Sequence, residues 1–337
     1  MKIINSAEFH IAEPTAAAIG KFDGIHLGHQ KLLRVLLQAK ELGLAAAVFT
    51  FVPSPAVFFG RGRTVHELST REEKRRCFAA LGVDYLIEFP LNAGTAATEP
   101  EEYIRRYLVE QMNVRYLVAG NDISFGAGGR GNFALLDRLS DRYSYLTQQV
   151  DKLRIEGVAV SSTYIRELIQ EGRMEEAAKF LGGPYSVLGE IVRGNQIGRT
   201  IGIPTLNQVP EEGKLLPPFG VYYSEVVFRD AGTENEPEPA GAGMRPEDGA
   251  PAGERRYYGM TNIGIKPTIR EGKRPGERPP VTVETYLYDF DGDVYGRTAE
   301  CRLLGFRRPE RHFASLEALR ETMDADIEAG EKFHAGH

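Results

Sequence analysis

The apolar spacing of this chain changes period once, at Gly182-Gly183-Pro184, and no single sheet or bundle accommodates both halves. Before that point short apolar runs alternate with helical patterns. Ala16–Gly20, Leu44–Val52, Val83–Phe89 and Arg115–Gly120 read as buried strands. Between them Gln30–Leu42, Arg71–Leu81 and Glu101–Met112 carry apolar residues three and four apart with charges opposite, as amphipathic helices do. Such alternation predicts a parallel sheet covered by helices, with ligands at the carboxyl ends of its strands. Ser161-Ser162-Thr163 then caps a further helix with Ile165, Leu168 and Ile169 as its apolar stripe.

After residue 183 the pattern is β-rich: Tyr185–Val192, Gly220–Phe228, Tyr257–Ile263, Val281–Phe290 and Glu300–Phe306, separated by turn residues. These predict a small antiparallel barrel, closed by a helix over Ser315–Glu331. The expected domains are therefore 1–183 and 184–337. Pro, Gly, Ala and Glu crowd Arg229–Glu254, with almost no large apolar residue, so about 229–256 is expected to be a disordered hairpin insertion. Gly272–Pro280 reads as a shorter loop of the same kind.

A net charge of −6 argues against a chain that coats nucleic acid or an anionic membrane, so anionic ligands must be held by local sites. Cys77 and Cys301 have no metal-ligand spacing, which points to two buried, reduced thiols. With no leader-like start and no run of about 18 apolar residues, the expected location is the cytoplasm.

The first strand-to-helix turn reads Gly20-Lys21-Phe22-Asp23-Gly24-Ile25-His26-Leu27-Gly28-His29. Glycines there let the backbone approach a ligand, and the new helix aims free N–H groups and a positive dipole end at it. That is the make-up of a phosphate site. His26 and His29, one turn apart, are placed to donate to phosphate oxygens.

This pattern resembles that of the HxGH nucleotidyltransferases, and specifically the bacterial family of bifunctional riboflavin kinase/FMN adenylyltransferases. Val118–Gly126 with Arg130 and Gly131 is similar to the family's second motif, and Ser161–Arg166 to its S-[ST]-T-x-I-R signature. The resemblance implies a Rossmann-like nucleotidyltransferase α/β domain in which FMN phosphate attacks the α-phosphorus of ATP and pyrophosphate leaves. It places Gly20, Phe22, Gly24, His26, His29, Asp122, Ser162 and Arg166 at ATP, and Ser54, Asp122 and Phe125 near the flavin. His26, His29 and Arg166 would be catalytic, and Asp23 would orient the turn. Two positions depart from the family: Ser54 stands where a histidine is usual, and Ile123 where an aromatic is usual. Both bear on adenylylation more than on ATP binding.

The second half carries its own signature. Gly198–Asn207 is similar to the riboflavin kinase motif G-R-x-x-G-x-P-T-A-N, with Leu206 in place of alanine. The resemblance implies an antiparallel β-barrel riboflavin kinase domain with a C-terminal helix, with Gly198, Arg199, Gly202, Pro204, Thr205 and Asn207 at ATP. Thr205 and Asn207 offer the hard oxygens that Mg²⁺ takes. Thr282–Phe290 resembles the family's V-E-T strand, with Glu284 as catalytic base at the ribityl hydroxyl and Asn262 beside the flavin. Thr261–Thr268 matches N-I-G-x-R-P-T with Lys266 at the arginine, and Arg311–Leu319 with Asp326 resembles the closing helix beside the flavin. His10, His66, His312, His334 and His337 lack partners at useful spacing and read as surface or structural.

The implied activities are phosphorylation of riboflavin to FMN and adenylylation of FMN to FAD. The ligands would be ATP, Mg²⁺ and flavins, with neither nucleic acid nor membrane as partner and oligomerisation optional. Three alternatives stand beside this: a kinase alone with weakened adenylylation, a flavin-sensing protein that binds without turnover, and a nucleotidyltransferase for another acceptor, which leaves the barrel motif unused.

Overall fold

The computed structural model describes residues 1–60, 65–194, 197–200, 202–229, 254–265 and 281–336. Within it the chain forms two compact units, Met1–Tyr164 and Ile165–His337.

The first unit is built on six parallel strands: β1 (Lys2–Ile4), β2 (Thr15–Ile19), β3 (Ala45–Val52), β4 (Tyr85–Pro90), β5 (Val114–Gly120) and β6 (Leu146–Val150), in the order β1-β4-β3-β2-β5-β6. From β2 the chain winds outward through β3 to β4, then returns past β2 to add β5 and β6. The winding direction therefore reverses between β2 and β5, and the crevice outside their carboxyl ends is where such sheets bind ligands. β2 is buried on both faces, Ala17 and Ile19 in one apolar layer and Ala16 and Ala18 in the other, so its run TAAAI shows no alternation. Helix α1 (Leu27–Gln38) follows β2 and buries Leu32, Leu33 and Leu36. Helix α2 (Arg71–Ala80) opens with a reciprocal cap between Thr70 and Glu73 and buries Lys74 and Phe78. The unit ends in a two-residue hairpin, β7 (Arg154–Ile155) with β8 (Val158–Ala159).

Helix α3 (Ser162–Gln170) runs from the first unit into the second, and α4 (Met174–Leu181) follows. The expected domain limit at residues 183 and 184 thus lies inside the second unit. Gly182 does stop α4, with φ 84°, but the apolar face of α4 (Met174, Ala177, Phe180) is buried and the helix packs against barrel strands.

The barrel is closed and antiparallel, from β9 (Tyr185–Val192), β10 (Leu206–Gln208), β11 (Gly220–Arg229), β12 (Glu254–Ile265), β13 (Val281–Leu287) and β14 (Thr298–Pro309), in the order β10-β13-β12-β11-β14-β9 and back to β10. Helix α5 (Leu316–His334) follows, its Ser315 accepting the Ala318 N–H at 3.2 Å. A hydroxyl-and-thiol cluster lies fully buried: Thr261 Oγ1 donates to Ser224 Oγ at 2.7 Å and lies 2.8 Å from Thr285 Oγ1 and 3.3 Å from Cys301 Sγ. These partners satisfy polar groups whose isolated burial is costly.

The proposed insertion at 229–256 needs correction at its ends. Arg229 pairs with Glu254, Phe228 with Arg255 and Val227 with Arg256, so the ladder continues into both flanks. The rest of that segment, and the loop at 272–280 with Lys266, Pro267 and Thr268, lie outside the described residues. Cys301 is buried and Cys77 only half-buried; both are free thiols.

Candidate functional site

The candidate residues fall into two groups. In the first, the backbone from Gly20 to His29 makes the turn between β2 and α1. Phe22 (φ 48°) and Ile25 (φ 38°) occupy the left-handed region, where non-glycine residues are strained by about 1–3 kcal/mol each. Their burial holds them there: Phe22 has no exposed surface and Ile25 is 5% exposed. The Phe22 ring meets Phe78 edge-on at 5.5 Å and lies 5.2 Å from the ring of His29. The Phe22 ring is therefore closed to any ligand, and it supports the His29 ring instead. Asp23 is buried and anchors the turn twice, its carboxylate accepting the Ser69 N–H at 3.2 Å and its carbonyl accepting the Ser162 hydroxyl at 2.9 Å. Gly24 takes φ 82° between them, and Gly20 lies at the strand's end, where an added Cβ would sit 3.1 Å from the Phe22 ring.

His26 is the N-cap of α1. Its Nδ1 accepts the backbone N–H of His29 at 3.3 Å, which leaves Nε2 to carry the proton. The two imidazoles stack with centroids 3.7 Å apart and planes 12° from parallel. A Cβ at position 28 would stand 3.2 Å from the His26 ring, close enough that the ring would have to shift. Burial lowers the His26 pKa to about 4, against smaller opposing effects of a backbone hydrogen bond and of Asp122. Burial also holds His29 well below the ordinary imidazole value, and the charges of His26 and Lys74 push the same way. Both rings are neutral near pH 7. His29 Nδ1 is buried without a hydrogen-bond partner among the described residues.

Asp122 follows β5 across the crevice and is exposed, its carboxylate 2.9 Å from Lys152. Phe125 is 3% exposed and packs on Tyr103 at 5.3 Å, so its ring belongs to the core and offers no open face to a flavin. Ser54 caps the short helix Pro55–Phe59, accepting the Val57 N–H at 3.4 Å, and is buried. Ile123 is half-buried against the same core as Phe125. Arg166 stands on α3 one turn beyond Ser162, half-buried and within the second unit.

The second site is a row across three barrel strands. Asn207 of β10 pairs with Glu284 of β13, and Glu284 with Asn262 of β12. Directly paired residues in antiparallel strands share a face, so the three side chains lie side by side. Thr261 and Thr285, the next residues along, are paired and fully buried, so the row faces the barrel's outside. Asn207 is 6% exposed; Glu284 and Asn262 are half-buried. Asn207 Nδ2 donates to the Thr205 carbonyl at 3.4 Å, and Thr282 Oγ1 donates to Glu284 Oε1 at 3.5 Å.

Gly198 begins a tight loop held by Ile203 N–H donating to its carbonyl at 2.8 Å. A Cβ on Gly198 would fall 2.2 Å from the Ile203 carbonyl oxygen, so only glycine fits. Gly202 (φ 81°) and Pro204 are exposed, and the Arg199 side chain lies outside the described ones. Asp326 of α5 receives a bidentate pair from Arg308, with contacts of 2.6 and 2.9 Å to one oxygen.

Two residues of the first site escaped the sequence reading. Lys74 reads as the solvent face of a charged helix but is 9% exposed and acts on His29. Lys152, beside Asp122, lies in a loop with no pattern to mark it. His334, expected at the surface or in a structural role, is 8% exposed and stacked on Tyr258 at 4.2 Å.

The family profile described as FAD synthetase matches residues 8–164, and that described as riboflavin kinase matches residues 181–334. The chain is 34% identical over 320 residues to the Listeria monocytogenes protein named bifunctional riboflavin kinase/FMN adenylyltransferase, covering 94% of this chain and 92% of that one. It is 35% identical over 311 residues to the Bacillus subtilis protein of the same name, covering 92% and 89%. A solved Streptococcus pneumoniae structure, described as a macrolide-efflux protein, matches with a TM-score of 0.78 at 27% identity, covering 98% of this chain and 99% of that one. Among the described residues no helix is long and apolar enough to cross a membrane. The chain belongs to the family of bifunctional riboflavin kinase/FMN adenylyltransferases.

Proposed function

We propose that this chain phosphorylates riboflavin to FMN with ATP at the barrel site and adenylylates FMN to FAD, with release of pyrophosphate, at the parallel-sheet site. The observation that carries this is the register placing Glu284 between Asn207 and Asn262, in a chain whose other unit holds a stacked histidine pair at the sheet's switch point.

At the barrel, Glu284 is the general base. Its carboxylate accepts the proton of the ribityl 5′-hydroxyl as that oxygen attacks the γ-phosphorus, and ADP departs. Asn262 orients the flavin. The Thr205 hydroxyl and the Asn207 amide oxygen suit Mg²⁺: they are hard donors two residues apart at the start of β10, and two protein oxygens suffice for an ion that keeps waters and substrate phosphates as its other ligands. When bound, Mg²⁺ supplies charge neutralisation along the phosphates. The loop through Gly198, Arg199, Gly202 and Pro204 covers ATP, with Gly198 bringing backbone close.

At the sheet, an FMN phosphate oxygen forms the bond to the α-phosphorus while the α–β bridge breaks and its electron pair leaves with pyrophosphate. The attacking oxygen is already ionised, so no side-chain nucleophile is required. His26 and His29 donate to ATP phosphates, α1 presents its positive end, and Arg166 holds the departing pyrophosphate with a planar fork. Ser162 keeps the turn in place through Asp23. Ser54 and Asp122 border the flavin phosphate. Product chromatography tests the whole assignment: riboflavin with MgATP should yield FMN and then FAD. FMN alone would leave only the kinase, and no product would leave only binding.

A further inference from the structure

The imidazole pair gives the sheet site its hydrogen bonds but no charge. Both rings are neutral near pH 7, whereas a leaving pyrophosphate needs permanent cations close by. Lys74 is such a cation in the first unit. It lies on α2 with only 9% of its surface exposed. Its Nζ is 3.5 Å from Glu67, well beyond the 2.7–2.9 Å of a strong charge-assisted hydrogen bond. Phe78, four residues on and so on the same helix face, packs edge-on to Phe22, whose ring lies against His29. This stack turns the Lys74 face of α2 towards the histidines, and the Lys74 charge acts on His29.

The carboxylates near the turn are otherwise engaged. Asp122 pairs with Lys152 at 2.9 Å, and the Asp23 carboxylate takes the Ser69 N–H. An ammonium under a loose partner, acting on a histidine whose Nδ1 is buried with no hydrogen-bond partner among the described residues, marks a place prepared for an anion.

We propose that Lys74 is a catalytic cation of the adenylylation site, its ammonium holding the pyrophosphate part of ATP while His26 and His29 donate hydrogen bonds. This rests on the adenylyltransferase reading above. The lysine moves no proton; it stabilises charge that accumulates on the leaving group as the α–β bridge breaks.

The test uses the full chain in both directions, FMN with MgATP to FAD, and FAD with pyrophosphate back to FMN and ATP. Lys74→Met is expected to lower kcat/KM for ATP on the order of 100-fold and to raise KM for pyrophosphate in reverse. Lys74→Arg should recover most of that loss, Glu67→Gln should stay near wild type, and riboflavin phosphorylation should be unchanged throughout. An unchanged KM for pyrophosphate in Lys74→Met overturns the assignment. So does a Glu67→Gln variant with the same deficit, or an arginine no better than methionine, because each makes the lysine structural. Thermal melting of each variant separates loss of fold from loss of rate. If the wild-type chain forms no FAD from FMN, the adenylyltransferase reading falls and this assignment with it; an active wild type with an unaffected Lys74→Met overturns the assignment alone.

Discussion

His26 caps helix α1 through its own ring: Nδ1 accepts the His29 backbone N–H at 3.3 Å, and the two imidazoles lie stacked 3.7 Å apart. The cap exists only while Nδ1 is unprotonated. Burial holds the folded pKa at about 4 against 6.5 in an exposed imidazole, so on acidification the unfolded chain takes up the proton first. The stabilisation is complete above pH 6.5 and declines as the pH falls towards 4. By pH 5 the loss should be about 2 kcal/mol from His26, with His29 adding in the same direction. His26→Asn keeps an N-cap acceptor without the titration. Its deficit against wild type should therefore shrink between pH 7 and pH 5 in denaturant melts, and a constant difference would contradict the neutral cap.

His29→Ala removes one donor to the triphosphate and leaves the barrel untouched. FMN-to-FAD conversion should fall about 10²–10³-fold, while riboflavin phosphorylation stays at the wild-type rate. Chromatography of the products from riboflavin and MgATP should then show FMN accumulating. Loss of both activities in a folded variant would contradict the assignment of separate sites.

Glu284→Gln is the reciprocal experiment. The amide preserves size and the neighbours Asn207 and Asn262 but cannot accept the hydroxyl proton. FMN formation should drop about 10²–10⁴-fold, with FAD still made from supplied FMN. Retained kinase activity would mean that another group is the base.

How far the sequence carried this reading depended on the kind of signal. The parallel sheet and the barrel were legible because β3 and β9 are compact runs and the period changes between them. Three strands of the sheet and barrel left no such trace, nor did the short hairpin of β7 and β8. β1 is a three-residue edge strand, β6 reads LTQQV with mostly exposed side chains, and β10 is three residues long after Pro204. Motifs placed the site residues on the right turns but could not say which way a ring points. Phe22 and Phe125 lie in their motifs as expected, yet their rings face the core. Lys74 was missed because the group it acts on, His29, comes from a distant segment, and helix spacing alone assigns such a residue to water; of the two roles open to His334, surface or structural, its burial against Tyr258 selects the structural one.

The pair between Arg308 at the end of β14 and Asp326 on α5 is well placed for a measurement of what holds the closing helix. Its side chains are 13% and 8% exposed, and the guanidinium meets the carboxylate through Nε and Nη2. Arg307 adds a longer contact of 3.5 Å. Removing one partner of a buried pair strands the other charge, which typically costs about 3–5 kcal/mol, more than the pair itself contributes. Asp326→Ala should therefore destabilise the second unit by about that amount in denaturant melts. Arg308→Met with Asp326→Leu, which removes both charges and keeps apolar volume, should be less harmful than Asp326→Ala alone. A double variant as unstable as the sum of its singles would show that the two side chains act independently and that α5 is held elsewhere, by the stack of Phe333 on Tyr223 and of His334 on Tyr258.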